Sequence, residues 1–132
     1  MKSVINLRDV PKQIWRPPAP GDPEPIATLL DGQDLLTGGP EGAIAGSQSL
    51  TMLVQNYRPG GFHKTHSHHD AEQVFFVYEG KGQFLLGEEW FDISKGDLVY
   101  VPRNVSRAAR NTSDDTLTLI FISVPLAKPG SR

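Results

Sequence analysis

The stretch P-G-G-F-H-K-T-H-S-H-H-D-A-E-Q-V-F-F-V-Y-E-G, from Pro59 to Gly80, decides the reading of this chain. It holds all four histidines, His63, His66, His68 and His69, followed by a run rich in β-branched and aromatic residues. That run reads as a strand stopped at Gly80-Lys81-Gly82. In a strand alternate side chains share a face, so His66 and His68 would point the same way, close enough to share one metal ion. A turn or bulge over Ser67 to Asp70 would loosen that rule for His69. His63 has the wrong parity unless its strand is bulged. Exposed loop histidines, or rings satisfied by nearby backbone, are the plain alternative.

Working outward, the same texture of short apolar runs and turn chemistry recurs. S-L-T-M-L-V-Q-N-Y (Ser49 to Tyr57) is β-prone and ends at Arg58-Pro59-Gly60-Gly61. G-Q-F-L-L and E-W-F-D-I flank Gly87-Glu88 as a hairpin would. D-L-V-Y-V follows the turn Ser94-Lys95-Gly96-Asp97, and V-S-R-A-A-R follows Pro102-Arg103-Asn104. T-L-T-L-I-F-I-S-V (Thr116 to Val124) becomes apolar on both faces and belongs inside a sandwich. About seven or eight strands at this spacing predict an all-β sandwich or barrel. Gly80, Gly82 and Gly96 read as turn residues needing positive φ. No segment keeps a 3.6-residue period over three turns.

Residues 1–48 differ. W-R-P-P-A-P-G-D-P-E-P (Trp15 to Pro25) is saturated with proline, and T-G-G-P-E-G-A-I-A-G-S (Thr37 to Ser47) is glycine-rich. The expected organisation is an extended amino-terminal arm over 1–48, a barrel over 49–126 and a tail over 127–132, with the arm able to pack on a second subunit. Thirteen basic and 15 acidic side chains leave a net charge of −2, which argues against nucleic-acid and membrane-surface partners. No apolar run is long enough to span a bilayer. The opening M-K-S-V-I-N-L-R-D-V-P-K-Q-I-W lacks the apolar segment of a secretory signal, so a cytoplasmic setting is expected. With no cysteine in the 132 residues, thiol chemistry is excluded and any metal must be held by N and O donors.

From Gly60 the spacing G-x5-H-x-H-x4-Q-x6-G places Gly60, His66, His68, Gln73 and Gly80. This resembles the first motif of the cupin superfamily, in which the Gln73 position is usually Glu. The second cupin motif, G-x5-P-x-G-x2-H-x3-N, is matched by Gly96, Pro102 and Asn111, with Asn104 in place of its glycine and Arg107 in place of its histidine. The resemblance covers about Leu50 to Val124. It implies a double-stranded β-helix, a small jelly-roll barrel, with a divalent metal inside it held by two histidines and Glu of the first motif and His of the second. It also implies a homodimer, as small cupins commonly form. Inward imidazoles with an oxygen donor on the next strand suit Fe, Mn, Ni or Zn, without choosing among them.

Two departures bear on the chemistry. Gln73 takes the carboxylate's place, with Glu72 as the rival; a strand turns only one of them inward, and the spacing from Gly80 favours Gln73. An amide oxygen can ligate but is neutral, so a bound ion would keep its full charge. Arg107 is a donor only and stays protonated, so it cannot ligate a metal. At ~5 Å it would repel a divalent ion by roughly 7 kcal/mol at an effective dielectric near 20. Three arrangements follow: a metal held by His66, His68 and Gln73 with His63, His69 or water completing the shell; an organic pocket without metal; or an Arg107 turned to the surface.

Both departures add positive charge. The sequence therefore points to an anionic, carboxylate-bearing small molecule clamped by Arg107, in a metal-dependent enzyme of lyase, isomerase, cyclase or dioxygenase type. The other reading is a non-catalytic binding or sensing cupin with a degenerate metal site. Tyr100, Glu72, His63 and His69 are the acid–base candidates. Phe75, Val77, Phe84, Trp90 and Phe121 are core residues or cavity lining, and Arg103 and Arg110 solvated charges or a cationic rim.

Overall fold

The computed structural model describes residues 4–12, 30–36, 44, 47, 49–66 and 71–125. Apart from a 3-10 turn at Leu7–Asp9, the described elements are strands: β1 Leu30–Asp34, β2 Thr51–Tyr57, β3 Phe62–His66, β4 Ala71–Glu79, β5 Lys81–Leu86, β6 Glu89–Ser94, β7 Leu98–Val101, β8 Arg107–Arg110 and β9 Leu117–Pro125. They form two antiparallel sheets in the orders β1-β2-β9-β4-β7 and β3-β8-β5-β6. Residues of both sheets meet in one core: Tyr57, Phe75, Val77, Val99, Val101, Leu117 and Leu119 from the first, and Phe84, Ile93 and Ala109 from the second. This is the expected jelly-roll sandwich.

Strand β4 shows why. Its residues alternate, with Ala71, Gln73, Phe75 and Val77 on the buried face and Glu72, Phe76 and Tyr78 exposed. The period-two burial of apolar groups is what fixes register, because a slip of one residue would exchange the two sets. Phe75 stands at 4.8 Å from Phe121 and 4.9 Å from Phe84, centroid to centroid, tying β4, β9 and β5 together.

Backbone approach explains two glycines differently from the sequence reading. Gly80 and Gly96 do have positive φ, at 86° and 94°. Gly82 does not; it lies within β5, where a Cβ would meet the Arg110 carbonyl oxygen at 2.4 Å. Its lack of a side chain serves close strand packing rather than a turn.

The amino-terminal region contributes to the same domain. Strand β1 pairs with β2 over Leu30–Asp34, and Val10, Leu35 and Val54 form a second small core. The buried Gln33 side chain donates to the Val10 carbonyl at 3.1 Å. The described part of the expected arm thus lies on its own sheet. The proline-rich stretch Trp15–Pro25 and the 127–132 tail lie outside the described residues. Among the described residues no helix is long and apolar enough to cross a membrane.

Candidate functional site

The barrel's polar point is a contact between the two sheets. Gln73 sits on β4, level with Val101 on β7 and Ser123 on β9. Arg107 opens β8, level with His66 on β3 and Leu86 on β5. Both side chains turn inward: Gln73 is 6 % exposed and Arg107 only 1 %, which makes the guanidinium the largest fully buried side chain of the described chain. Arg107 Nη1 donates to Gln73 Oε1, so the two sheets are joined through their motif positions. Arg107 Nη2 donates to the Val105 carbonyl at 3.0 Å, with a longer contact to the Pro102 carbonyl at 3.5 Å. The Gln73 amide nitrogen in turn lies 3.4 Å from Ser123 Oγ.

Among the described residues every acceptor around Arg107 is neutral. Its Nε–H is buried and has no acceptor, and among the described residues no carboxylate is within ion-pair distance. Burial pulls the guanidinium's proton affinity below its ordinary value. The group nevertheless remains cationic, because arginine starts so far above neutral pH.

The alternation of β4 decides between the two first-motif candidates. Gln73 faces in; Glu72 faces out and accepts a 2.5 Å hydrogen bond from Tyr100 Oη on the same outer face. The two acid–base candidates Glu72 and Tyr100 therefore pair outside the barrel, on the opposite side of the sheet from Arg107. Strand parity is the cause of this placement. The hydrogen bond to Glu72 is also the main reason the Tyr100 phenol titrates above its ordinary range.

The histidines are only partly placed. His68 and His69 lie outside the described residues. Between His63 and His66 the β3–β8 register shifts: His63 is level with Ala109 and His66 with Arg107. The bulge that the parity of His63 required is therefore present in the backbone. His63 is half-buried and borders a cleft of about 410 Å³ with Phe62, Trp90 and Arg110. Among the described residues no three His, Cys, Asp or Glu side chains converge on a possible ion.

The donor chemistry at Gln73 does not fit the divalent ion implied by the family. The oxygen that would ligate already accepts from a cation. An ion on its remaining lone pair would lie beside the guanidinium and be repelled by it. Of the expected His66, His68 and Gln73 metal set, only the Gln73 side chain is described, and its oxygen is engaged by Arg107.

The motif's other positions build the frame. Asn104, in the place of a glycine, has φ of 63°, the left-handed conformation that Asn tolerates best among ordinary residues. Asn111 is buried; its amide donates to the Tyr57 carbonyl at 2.8 Å and the Asp115 carbonyl at 2.6 Å, and its oxygen accepts from Ser113. Gly60 and Gly61 exchange backbone bonds with Asn111. Phe75, Val77 and Phe84 are core and Phe121 packs against it, whereas Trp90 lies partly exposed beneath Arg110, 3.8 Å from guanidinium carbon to ring centroid. Arg110 is further held by Gln83 Oε1 at 2.6 and 2.8 Å, and Arg103 is exposed.

Sequence reasoning missed Ser123, the Val105 carbonyl, and a buried pair on β2 in which Tyr57 Oη donates to Gln55 Oε1 at 2.7 Å. Gln55 alternates with Leu53 and Tyr57, the period-two signal that could have placed it inward.

Comparison with known proteins agrees with this architecture. Curated relatives include an uncharacterized protein of Methanocaldococcus jannaschii, 30 % identical over 60 residues that cover 46 % of this chain and 48 % of that protein. Polyketide synthase CurC of Streptomyces cyaneus is 29 % identical over 97 residues, covering 74 % of this chain and 60 % of that protein. The matched segments span from 19 % to 54 % of the length of the first three curated relatives. A predicted oxalate decarboxylase of Thermotoga maritima has the same fold, with a TM-score of 0.73 at 16 % identity over 94 % of this chain and all of that one. KdgF from Halomonas sp. superposes with a TM-score of 0.69 at 18 % identity, covering 98 % and 99 % of the two chains. The cupin domain family (Cupin_2) matches residues 53–123, more than half of the sequence, and the chain belongs to that family.

Proposed function

We propose that this cupin binds an anionic, carboxylate-bearing small molecule inside its barrel, with Arg107 as the binding cation. The observation that carries this reading is a guanidinium 1 % exposed that, among the described residues, is held only by neutral acceptors and leaves its Nε–H unsatisfied. An unpaired buried charge costs several kcal/mol, and an arriving carboxylate would remove that cost with charge-assisted hydrogen bonds. The walls beside it are apolar: Phe75 follows Gln73 on the inner face of β4, and Phe121 precedes Ser123 on that of β9. Glu72 and Tyr100 pair outside the barrel, so the reading is one of binding and assigns these two no part in turnover.

Calorimetric titration with acetate, succinate and oxalate at constant ionic strength tests the proposal. Oxalate is included because one structural neighbour is described as a predicted oxalate decarboxylase. The expected result is saturable binding of at least one probe, weakened at least tenfold by Arg107→Met and less by Arg107→Lys. Equal affinity in wild type and a folded Arg107→Met protein would reject it.

A second copy of the chain remains the proposed macromolecular partner. The outer face of β4, β7 and β9 leaves Phe76, Leu98, Tyr100 and Ile122 exposed side by side. Monomers seldom leave such a face bare. Sedimentation equilibrium would show a dimer that Leu98→Glu weakens; a monomer at all concentrations would end this part of the reading.

A further inference from the structure

We infer that the centre of this barrel works without a divalent ion, the tethered guanidinium of Arg107 being its permanent cation. The inference deepens the anion-binding reading and rests on it for the identity of what is bound. Three features of the site converge. First, Arg107 Nη1–H points at the one oxygen that Gln73 could offer a metal. Second, the tether is neutral. A carboxylate at position 73 would cancel the guanidinium's charge, whereas the amide orients it and leaves that charge intact; Ser123 Oγ at 3.4 Å takes the other end of the amide and sets which way it points. Third, the unsatisfied group at the site is a donor, the Nε–H of Arg107. A metal ion would leave that donor unsatisfied and add like charge beside it. An anion satisfies the donor and balances the charge at once.

The two substitutions therefore act as a pair. Arginine at 107 brings the cation to the barrel centre, and glutamine at 73 holds it there without neutralising it. The Val105 carbonyl, at 3.0 Å from Nη2, restrains it from the adjoining loop.

The test uses the full chain. Purified without a metal-binding tag, it is incubated separately with Zn(II), Mn(II), Ni(II) and, under anaerobic conditions, Fe(II). After gel filtration the metal content is measured by mass spectrometry. The expected content is below about a tenth of an equivalent for each ion. Affinity for the best carboxylate probe should change less than twofold on adding a chelator. The Gln73→Glu/Arg107→His protein, checked for folding by circular dichroism, should retain at least tenfold more of one of the ions. A wild-type protein that keeps one equivalent, and loses it in His66→Ala, would overturn the inference, as would a tenfold fall in carboxylate affinity on chelation. A folded double variant that gains no ion would overturn the assignment to these two side chains. Wild-type protein that holds no ion and binds no carboxylate would reject the proposed function and leave this inference standing. Arg107-dependent carboxylate binding that survives alongside a tightly held ion would do the reverse.

Discussion

Replacing both members of the inter-sheet contact, in Arg107→Met/Gln73→Leu, should make the protein more stable while abolishing its response to carboxylates. The single change Arg107→Met removes a buried charge that has no described counter-ion, a gain of several kcal/mol. It also leaves Gln73 Oε1 and the Val105 carbonyl without their donor, at about 1–3 kcal/mol each, so the single variant should change little. The double variant removes the amide as well and replaces both side chains by apolar groups of similar size. The Val105 carbonyl then loses its donor, the long contacts to the Pro102 carbonyl and Ser123 Oγ go as well, and a net gain of about 1–3 kcal/mol remains. For a chain of this length that is a rise in Tm of roughly 3–10 °C. Urea unfolding at pH 7, with and without the best carboxylate probe, measures both halves of the prediction. Wild type should gain about 2.7 kcal/mol at a probe concentration a hundred times Kd, and the double variant nothing. Were the double variant less stable than wild type by more than about 1 kcal/mol, the pair would be a structural pin between sheets and not a site kept at the expense of stability.

Two further predictions concern the frame. Gly82→Ala should destabilise by about 2 kcal/mol or more in urea unfolding, because its Cβ would lie 2.4 Å from the Arg110 carbonyl oxygen and 2.9 Å from Leu117 Cδ2, and the carbonyl belongs to a paired strand that cannot yield. A Gly82→Ala protein as stable as wild type would show that β5 and β8 are not so closely packed. Tyr100→Phe should lower stability at neutral pH and match wild type in strong alkali. The phenol's folded-state value is raised, chiefly by its bond to Glu72, so its contribution is fully present below the unfolded value of about 10 and is lost as pH rises through the folded one. Unfolding free energies of the two proteins that stay parallel from about pH 8 to 11 would contradict that linkage.

What was legible in the sequence follows from where period-two alternation is strong. The strands from Ser49 onward announced themselves through apolar and aromatic runs between glycine, proline and asparagine turns, and the choice of Gln73 over Glu72 followed from spacing alone. Strand β1 did not: L-D-G-Q-D is poor in β-forming residues and becomes a strand only by pairing with β2, with Asp31 accepting from Asn56 at 2.9 Å and Gln33 reaching Val10. Gly82 was misread because a glycine needed for close approach and one needed for positive φ look alike in sequence. Most of all, Arg107 left three arrangements open. Which one holds depends on an acceptor 34 positions away on the opposite sheet, a long-range contact that local pattern cannot encode.

The site also shows that the two motifs carry separable kinds of information. Gly60, Gly80, Gly96 and Asn111 act on the backbone: positive φ at the glycines, and an asparagine amide bridging Tyr57 and Asp115. Asn104 departs from the motif yet meets the same backbone demand, with φ of 63°. Asn104 lies in the loop that leads to the start of β8, and Asn111 and Gly60 are bonded just beyond its end, so these positions frame the strand that residue 107 opens. None of them specifies what residue 107 must be. With the frame intact, the proposed function follows from exchanging the donor at 107 and the oxygen at 73: a centre suited to holding a cation would become one that supplies its own. The fold tolerates the exchange because both side chains meet across the sheets, and on the proposed reading the chemistry would reverse because the charge belongs to the chain.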